Sequence, residues 1–343
     1  MKKSGSAFSP AAYLLFVIAL VCTLILCVCA GSVSIPLKEA VRILWRIITF
    51  KELPSGMYSV IINSVRLPRV VNVALTGAAL SVSGTAMQGL LRNPLADGST
   101  LGVSSGASLG AVLALAFGVT VPGLANGGTM VMAMLCAGIS LILILTLAYA
   151  LDRSLSTNSI ILIGVIFSMF ASSIITLLIS FAGEKLRTVT FWTMGSLAGS
   201  TFKQSAALAI ALLICGGAIL ACARELNAFS TGEDNARHIG VNVKRVKLIV
   251  LIAASALIGV TVSVGGTIAF VGLVTPHMAR MLVGPNHKRL LPASMFAGAI
   301  FLLLSDLAAR TVLSPIELPI GVVTSLIGAV AFVIIFKGTR KYK

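Results

Sequence analysis

Apolar residues run along this chain in long blocks, and polar residues are confined to short breaks between them. A helix needs about twenty apolar residues to cross a hydrocarbon core. Ten blocks approach that length: 11–30, 70–91, 101–117, 129–150, a fifth ending near Ala182, 205–223, 248–264, 268–283, 291–308 and 318–336. The charge-free stretch from 98 to 151 is too long for one helix, and turn-forming residues between 118 and 128, Pro122 among them, divide it. The pattern predicts an all-α polytopic membrane protein, a single transmembrane domain over 1–343 with ten helices. An even number puts both termini on one side. The first block has a tolerable cleavage site at Val28-Cys29-Ala30, yet its apolar part exceeds a usual signal-peptide core, so a retained first helix is expected.

Three breaks carry a pattern of their own. Residues 31–58 space their hydrophobic side chains as on an amphipathic helix, and 183–203 hold Phe191-Trp192; the segments 32–69 and 183–203 are expected at the extracytoplasmic membrane surface. The longest strongly polar run is 224–247. In it, Ser230-Thr231-Gly232-Glu233 has capping-box spacing, Glu233 and Asp234 place negative charge in a first turn, and Gly240 marks a stop. A helix of about two turns is expected near Gly232–Ile239. Alone in water it is marginal, so something must hold it. It is either a plug for a soluble partner or a well-capped connecting loop.

Composition sharpens this picture. With 57% hydrophobic and 10% charged residues and a mean hydropathy of +1.05, the chain lies far outside soluble domains. The net charge of +16 does not point to nucleic acid, because the basic residues fall between apolar blocks rather than on an aromatic-interleaved stripe. They read as topology signals. With the N-terminus in the cytoplasm, sixteen of the 26 Lys and Arg lie inside and ten outside, so both termini and the 224–247 loop are expected to be cytoplasmic.

Chemistry is sparse. The six cysteines sit in apolar blocks without C-x-x-C spacing, and no metal ligand set, cofactor motif, Walker A, G-x-S-x-G or H-E-x-x-H occurs. No catalytic residue is expected; His277 near Thr275 is the one faint nucleophile–base pairing, and a structural histidine explains it better. Asp306 is the only acidic residue well inside a block and sits four residues before Arg310, as a local ion pair would. An ion-coupled secondary transporter, which needs a chain of buried ionisable groups, fits poorly. Ser81–Thr85 with Pro94 echoes Ser263–Thr267 with Pro276, either as a trace of duplicated halves or as chance among small residues.

Several motifs together resemble the ten-helix permease subunits of ATP-binding-cassette importers for iron–siderophore complexes, haem and cobalamin. They are Arg66-Leu67-Pro68-Arg69, Met87-Gln88-Gly89 with Asn93-Pro94-Leu95-Ala96, Gly102-Val103-Ser104-Ser105-Gly106-Ala107, Trp192-Thr193-Met194-Gly195, 232–243, Phe270–His277 and Glu317–Val322. The resemblance implies that two permeases, identical or homologous, form the pathway. A dimer of ATPases binds below, an extracytoplasmic binding protein delivers cargo above, and the setting is the cytoplasmic membrane. Ser230, Gly232, Glu233, Asp234, Ala236, Arg237, Ile239 and Gly240 would then form the ATPase-coupling segment. Arg66, Arg69 and Arg310 would dock the binding protein, since a guanidinium fork grips carboxylates, although snorkelling to headgroups would also suit them. Ser156, Thr157 and Asn158 would narrow the cytoplasmic end of the passage, with Ser156 or Thr157 also serving as a helix cap. A ferric siderophore is the expected cargo, with haem or cobalamin as alternatives.

Overall fold

A computed structural model describes residues 10–31, 33–98, 100–121, 127–153 and 155–340. The expected turn at Pro122 and the outermost basic residues of both tails lie outside the described residues. Helix α1 spans Pro10–Cys29, and α2 (Leu37–Ile48) follows as a short amphipathic helix. Helix α3 (Met57–Val60) runs through a π-helical stretch, Ile61–Arg66, into α4 (Leu67–Leu90), giving one continuous 34-residue helix over Met57–Leu90. Pro68 falls where the π-helical stretch gives way to α4, so the N–H it lacks is missing at a place where the hydrogen-bond ladder already changes register. The second span therefore begins well before the expected position 70. Helices α5 (Val103–Phe117), α6 (Gly127–Leu151) and α7 (Thr157–Ser180) come next, then the short α8 (Leu186–Thr193) within 183–203.

Helices α9 (Phe202–Ala211) and α10 (Gly217–Ala221) are joined by a π-helical stretch, Leu212–Gly216. Thr201 and Gln204 start α9 with a capping box. The polar run holds α11 (Ala223–Phe229) and α12 (Glu233–His238); α13 (Val243–Gly265), α14 (Val271–Val283), α15 (His287–Thr311) and α16 (Ile320–Arg340) complete the chain. Each expected block thus contains a helix. Among the described residues seven are long and apolar enough to cross a membrane, while Val103–Phe117 and Ile320–Ile334 are apolar but shorter.

Helix α4 is the axis of the bundle: 78% of the apolar window in Met57–Leu90 is buried, against 17% of that in α1. Between helices in lipid, close approach replaces the hydrophobic driving force, and glycine permits it. A Cβ on Gly84 would lie 1.9 Å from the Gly272 carbonyl oxygen, and one on Gly77 would lie 2.3 Å from that of Gly298. These two contacts bring the backbones of α14 and α15 directly onto α4. Polar side chains clamp the same seams: Thr275 Oγ1 donates to Ser81 Oγ at 2.7 Å, and Gln88 Nε2 to the Leu273 carbonyl at 3.2 Å. Asn72 Nδ2 reaches the Thr201 carbonyl at 3.1 Å, fastening α4 to the start of α9.

Breaks in the helices are also mutually bonded. Ser196 N–H donates to the Gly265 carbonyl at 2.8 Å and Ile320 N–H to the Gly195 carbonyl at 3.1 Å, so the ends of α8 and α13 and the start of α16 meet. Gly195 adopts φ +78°, and a Cβ there would strike the Thr267 carbonyl at 2.5 Å. The echo between 81–85 and 263–267 has no counterpart in local structure: Gly84 lies inside α4, while Gly266 ends α13 at φ +71°.

Candidate functional site

Two charged clusters lie at opposite ends of α4. Beyond its C-terminal end, Arg92 lines a cleft of about 660 Å³ together with Ser156, Thr157 and Asn158 at the start of α7 and with Gly232–Asn235 and Arg237 of the polar loop. Helix α12 occupies most of the range expected for it. Its start differs: Gly232, at φ +117°, is the N-cap and supplies no side-chain bond. Ser230 Oγ turns back to the Asn227 carbonyl at 2.6 Å, so the expected capping box does not form. The reason is that Ser230 already closes α11, in helical geometry and with its N–H on the Asn227 carbonyl at 3.2 Å. Glu233 spends its carboxylate on Lys247, with N–O distances of 2.7 and 2.8 Å, and accepts a bond from Thr157 Oγ1 at 3.3 Å.

Lys247 also donates to the Leu155 carbonyl at 2.9 Å, and its side chain is 1% exposed. One ammonium therefore ties α12 to the turn that begins α7. That turn is tightly specified: Leu155 sits at φ +52°, Ser156 N–H bonds Asp152 Oδ2 at 3.1 Å, and Ser156 Oγ caps α7 by accepting from Ser159 N–H at 3.3 Å. On α12, Ala236 is fully buried, whereas Ile239 is 69% exposed and Asp234 and Arg237 form an exposed pair at 3.6 Å. The outer face of this six-residue helix is free to meet a partner, and its inner face is wired to the turn.

Lys247 was not among the expected site residues. Its signal was present in the chain: Val243, Val246, Val250 and Leu251 are all buried, and Lys247 shares their face of α13. A lysine inside an apolar stripe calls for a buried partner.

At the N-terminal end of α4, the three arginines expected to face a binding protein are buried, with Arg66, Arg69 and Arg310 only 5%, 8% and 4% exposed. Their forks are engaged within the chain. Arg69 bonds Asp306 Oδ1 through Nε at 3.0 Å and Glu317 through Nη1 at 2.9 and 3.1 Å. Arg310 lies 3.2 Å from Asp306 Oδ2, as its spacing anticipated, and also donates to the Cys27 carbonyl at 2.7 Å. Arg66 takes the carbonyls of Val28 and Cys29 at 2.6 and 2.8 Å, along with that of Val33, and so satisfies the open end of α1. Of this cluster the Glu317 side chain, 40% exposed, is the open member. Charge counting placed these arginines by the polarity of their segment and could not see the carboxylates that claim them.

No group of three or more His, Cys, Asp or Glu side chains able to hold a metal occurs among the described residues. A bundle in which seven helices among the described residues are long and apolar enough to cross a membrane is the architecture of a multi-pass membrane protein. The chain belongs to the FecCD transport family, which it matches over residues 18–337. It is 42% identical to the uncharacterized ABC transporter permease protein YvrB of Bacillus subtilis, covering 95% of this chain and 93% of that protein. It is 36% identical to the molybdate import system permease protein MolB of Haemophilus influenzae, covering 94% of each. The cobalamin import system permease protein BtuC of Halobacterium salinarum is 37% identical over 81% of this chain and 73% of that protein. Among solved structures, an inward-facing metal-chelate type ABC transporter is 32% identical, with a TM-score of 0.81 over 96% of this chain and 99% of that one. The protein is an ABC importer permease, a transport component rather than a catalyst; its family implies ATPase and substrate-binding partners and a permease dimer.

Proposed function

We propose that two copies of this chain form the passage of an importer for a ferric siderophore in the cytoplasmic membrane. Each copy crosses ten times with both termini inside. A partner ATPase dimer grips α12, and the resulting displacement moves Ser156, Thr157 and Asn158 at the cytoplasmic end. The observation that carries this reading is the tie from Glu233 through Lys247 to Leu155, because it joins the segment that resembles a coupling helix to the turn that resembles a gate. The likeness to a metal-chelate type transporter supports a chelate as cargo. Haem and cobalamin are the alternatives, and the molybdate permease among the relatives adds an oxyanion.

On the outer side, a binding protein's carboxylate would reach Arg69 by displacing Glu317, whose side chain is the exposed member of that cluster. Cysteines placed at Thr157 in both copies should crosslink and block uptake, and a photocrosslinker at Ile239 should capture the ATPase. Uptake that survives crosslinking, or capture of no nucleotide-hydrolysing partner, would refute the division of labour. Growth on defined iron sources with and without the gene selects among cargoes.

A further inference from the structure

Helix α2 packs through only part of its apolar surface. Ala40 and Ile43 are buried, and Leu44 and Ile47 extend that packed edge against α1 and its neighbours. Projected at 100° per residue, the apolar arc continues past this edge through Leu37, Ile48, Val41 and Trp45, which are 61%, 69%, 47% and 64% exposed. Next around the helix come Lys38, Arg42 and Arg46, spaced four apart in one row. The order across the helix is therefore protein contact, bare apolar strip, basic strip. Just beyond it, Phe50 is 98% exposed beside Lys51.

A strip of that order is unsuited to water and suited to the boundary between acyl chains and headgroups, where aromatic rings lie at the interface and basic side chains reach the phosphates. Few of the guanidinium donors are taken from within the chain. Arg42 meets Glu39 at 3.6 Å in an exposed pair, and Arg46 donates one bond to the Glu52 carbonyl at 3.0 Å. Four basic residues face two acidic ones between 37 and 52, so the local charge is positive. The helix also follows α1, whose apolar window is only 17% buried and so lies at the edge of the bundle.

We propose that α2 is an anionic-phospholipid binding element, with Leu37, Val41, Trp45 and Ile48 seated at the acyl boundary and the Lys38–Arg42–Arg46 row holding lipid phosphates. The proposal is independent of the cargo and of the ATPase contact. The test uses the intact chain in nanodiscs, in a Trp192→Phe background that leaves Trp45 as the sole tryptophan. Acyl-brominated phosphatidylglycerol and acyl-brominated phosphatidylcholine are compared at equal trace fraction in a phosphatidylcholine bilayer.

The expected result is stronger quenching of Trp45 by the anionic phosphatidylglycerol. Replacing Lys38, Arg42 and Arg46 with Gln should reduce that preference by up to about fivefold per charge while leaving the phosphatidylcholine quenching unchanged. Equal quenching by the two lipids in the unaltered row overturns the proposal, because the apolar strip is then lipid-seated without headgroup recognition. Absence of quenching by either lipid also overturns it and assigns the strip to a protein partner or a second copy.

Discussion

Replacing Lys247 with Met tests the link between α12 and the α7 turn, because methionine keeps much of the stem's volume and removes only the ammonium. The wild-type ammonium meets one carboxylate and one carbonyl at 2.7–2.9 Å with the lysine side chain 1% exposed. Breaking a buried pair by deleting one partner costs about 3–5 kcal/mol. Glu233 is 24% exposed and regains some hydration, so about 2 kcal/mol is a reasonable expectation here. That is a shift of about 30-fold in the population of α12 held against the turn. The cost falls locally, since a helix of six residues has little stability of its own and α13 keeps its other buried contacts.

The assay is cargo uptake and ATP hydrolysis measured in the same proteoliposomes, with the ATPase and binding protein present. Hydrolysis should continue while cargo moved per ATP falls at least about tenfold, and Lys247→Arg should recover most of it. A double-mutant cycle with Glu233→Gln should show a coupling energy of about 0.5–3 kcal/mol. Wild-type cargo per ATP in Lys247→Met, or strict additivity in the cycle, refutes the mechanical link. A parallel fall of uptake, hydrolysis and thermal stability also refutes it, by showing that Lys247 only supports the fold.

Further outcomes follow from packing. Gly84→Ala should abolish folded protein, because its Cβ would meet the Gly272 carbonyl at 1.9 Å; Gly138→Ala, with nothing within 4 Å, should raise stability by up to about 1 kcal/mol. Thermal melts in detergent compare the two. Asp306→Asn leaves Arg69 and Arg310 without their shared charge and should destabilise by about 3–5 kcal/mol, whereas Glu317→Gln, at a side chain 40% exposed, should cost no more than about 1 kcal/mol. Equal losses in the two variants would contradict the internal network. Ser156→Ala removes the cap of α7 and should cost about 1 kcal/mol, read as a lower melting temperature.

What could be read from the chain alone was the polarity of each segment, because helices in lipid must close their own backbone bonds and therefore write themselves as apolar blocks. Choice of partner was hidden. Arg69 finds Asp306 and Glu317 at separations of 237 and 248 residues, and no local spacing records that. Gly84 faces Gly272 for the same reason. The failed capping box is the instructive case: Ser230 and Glu233 have the right spacing, but Ser230 closes α11 with its N–H on the Asn227 carbonyl, and the Glu233 carboxylate goes to a buried ammonium fourteen residues further on. Local propensity sets where α12 lies, and a tertiary charge sets what it holds. Asp306, the one acidic residue well inside a span, is shared between Arg69 at 2.9 Å and Arg310 at 3.2 Å, so its two oxygens are committed to holding α4 and α15 together. The Arg69–Asp306–Glu317 network is therefore a frame at one end of α4, and the coupling proposed above would act on the exposed side of α12, whose inner side is tied through Lys247 to Leu155.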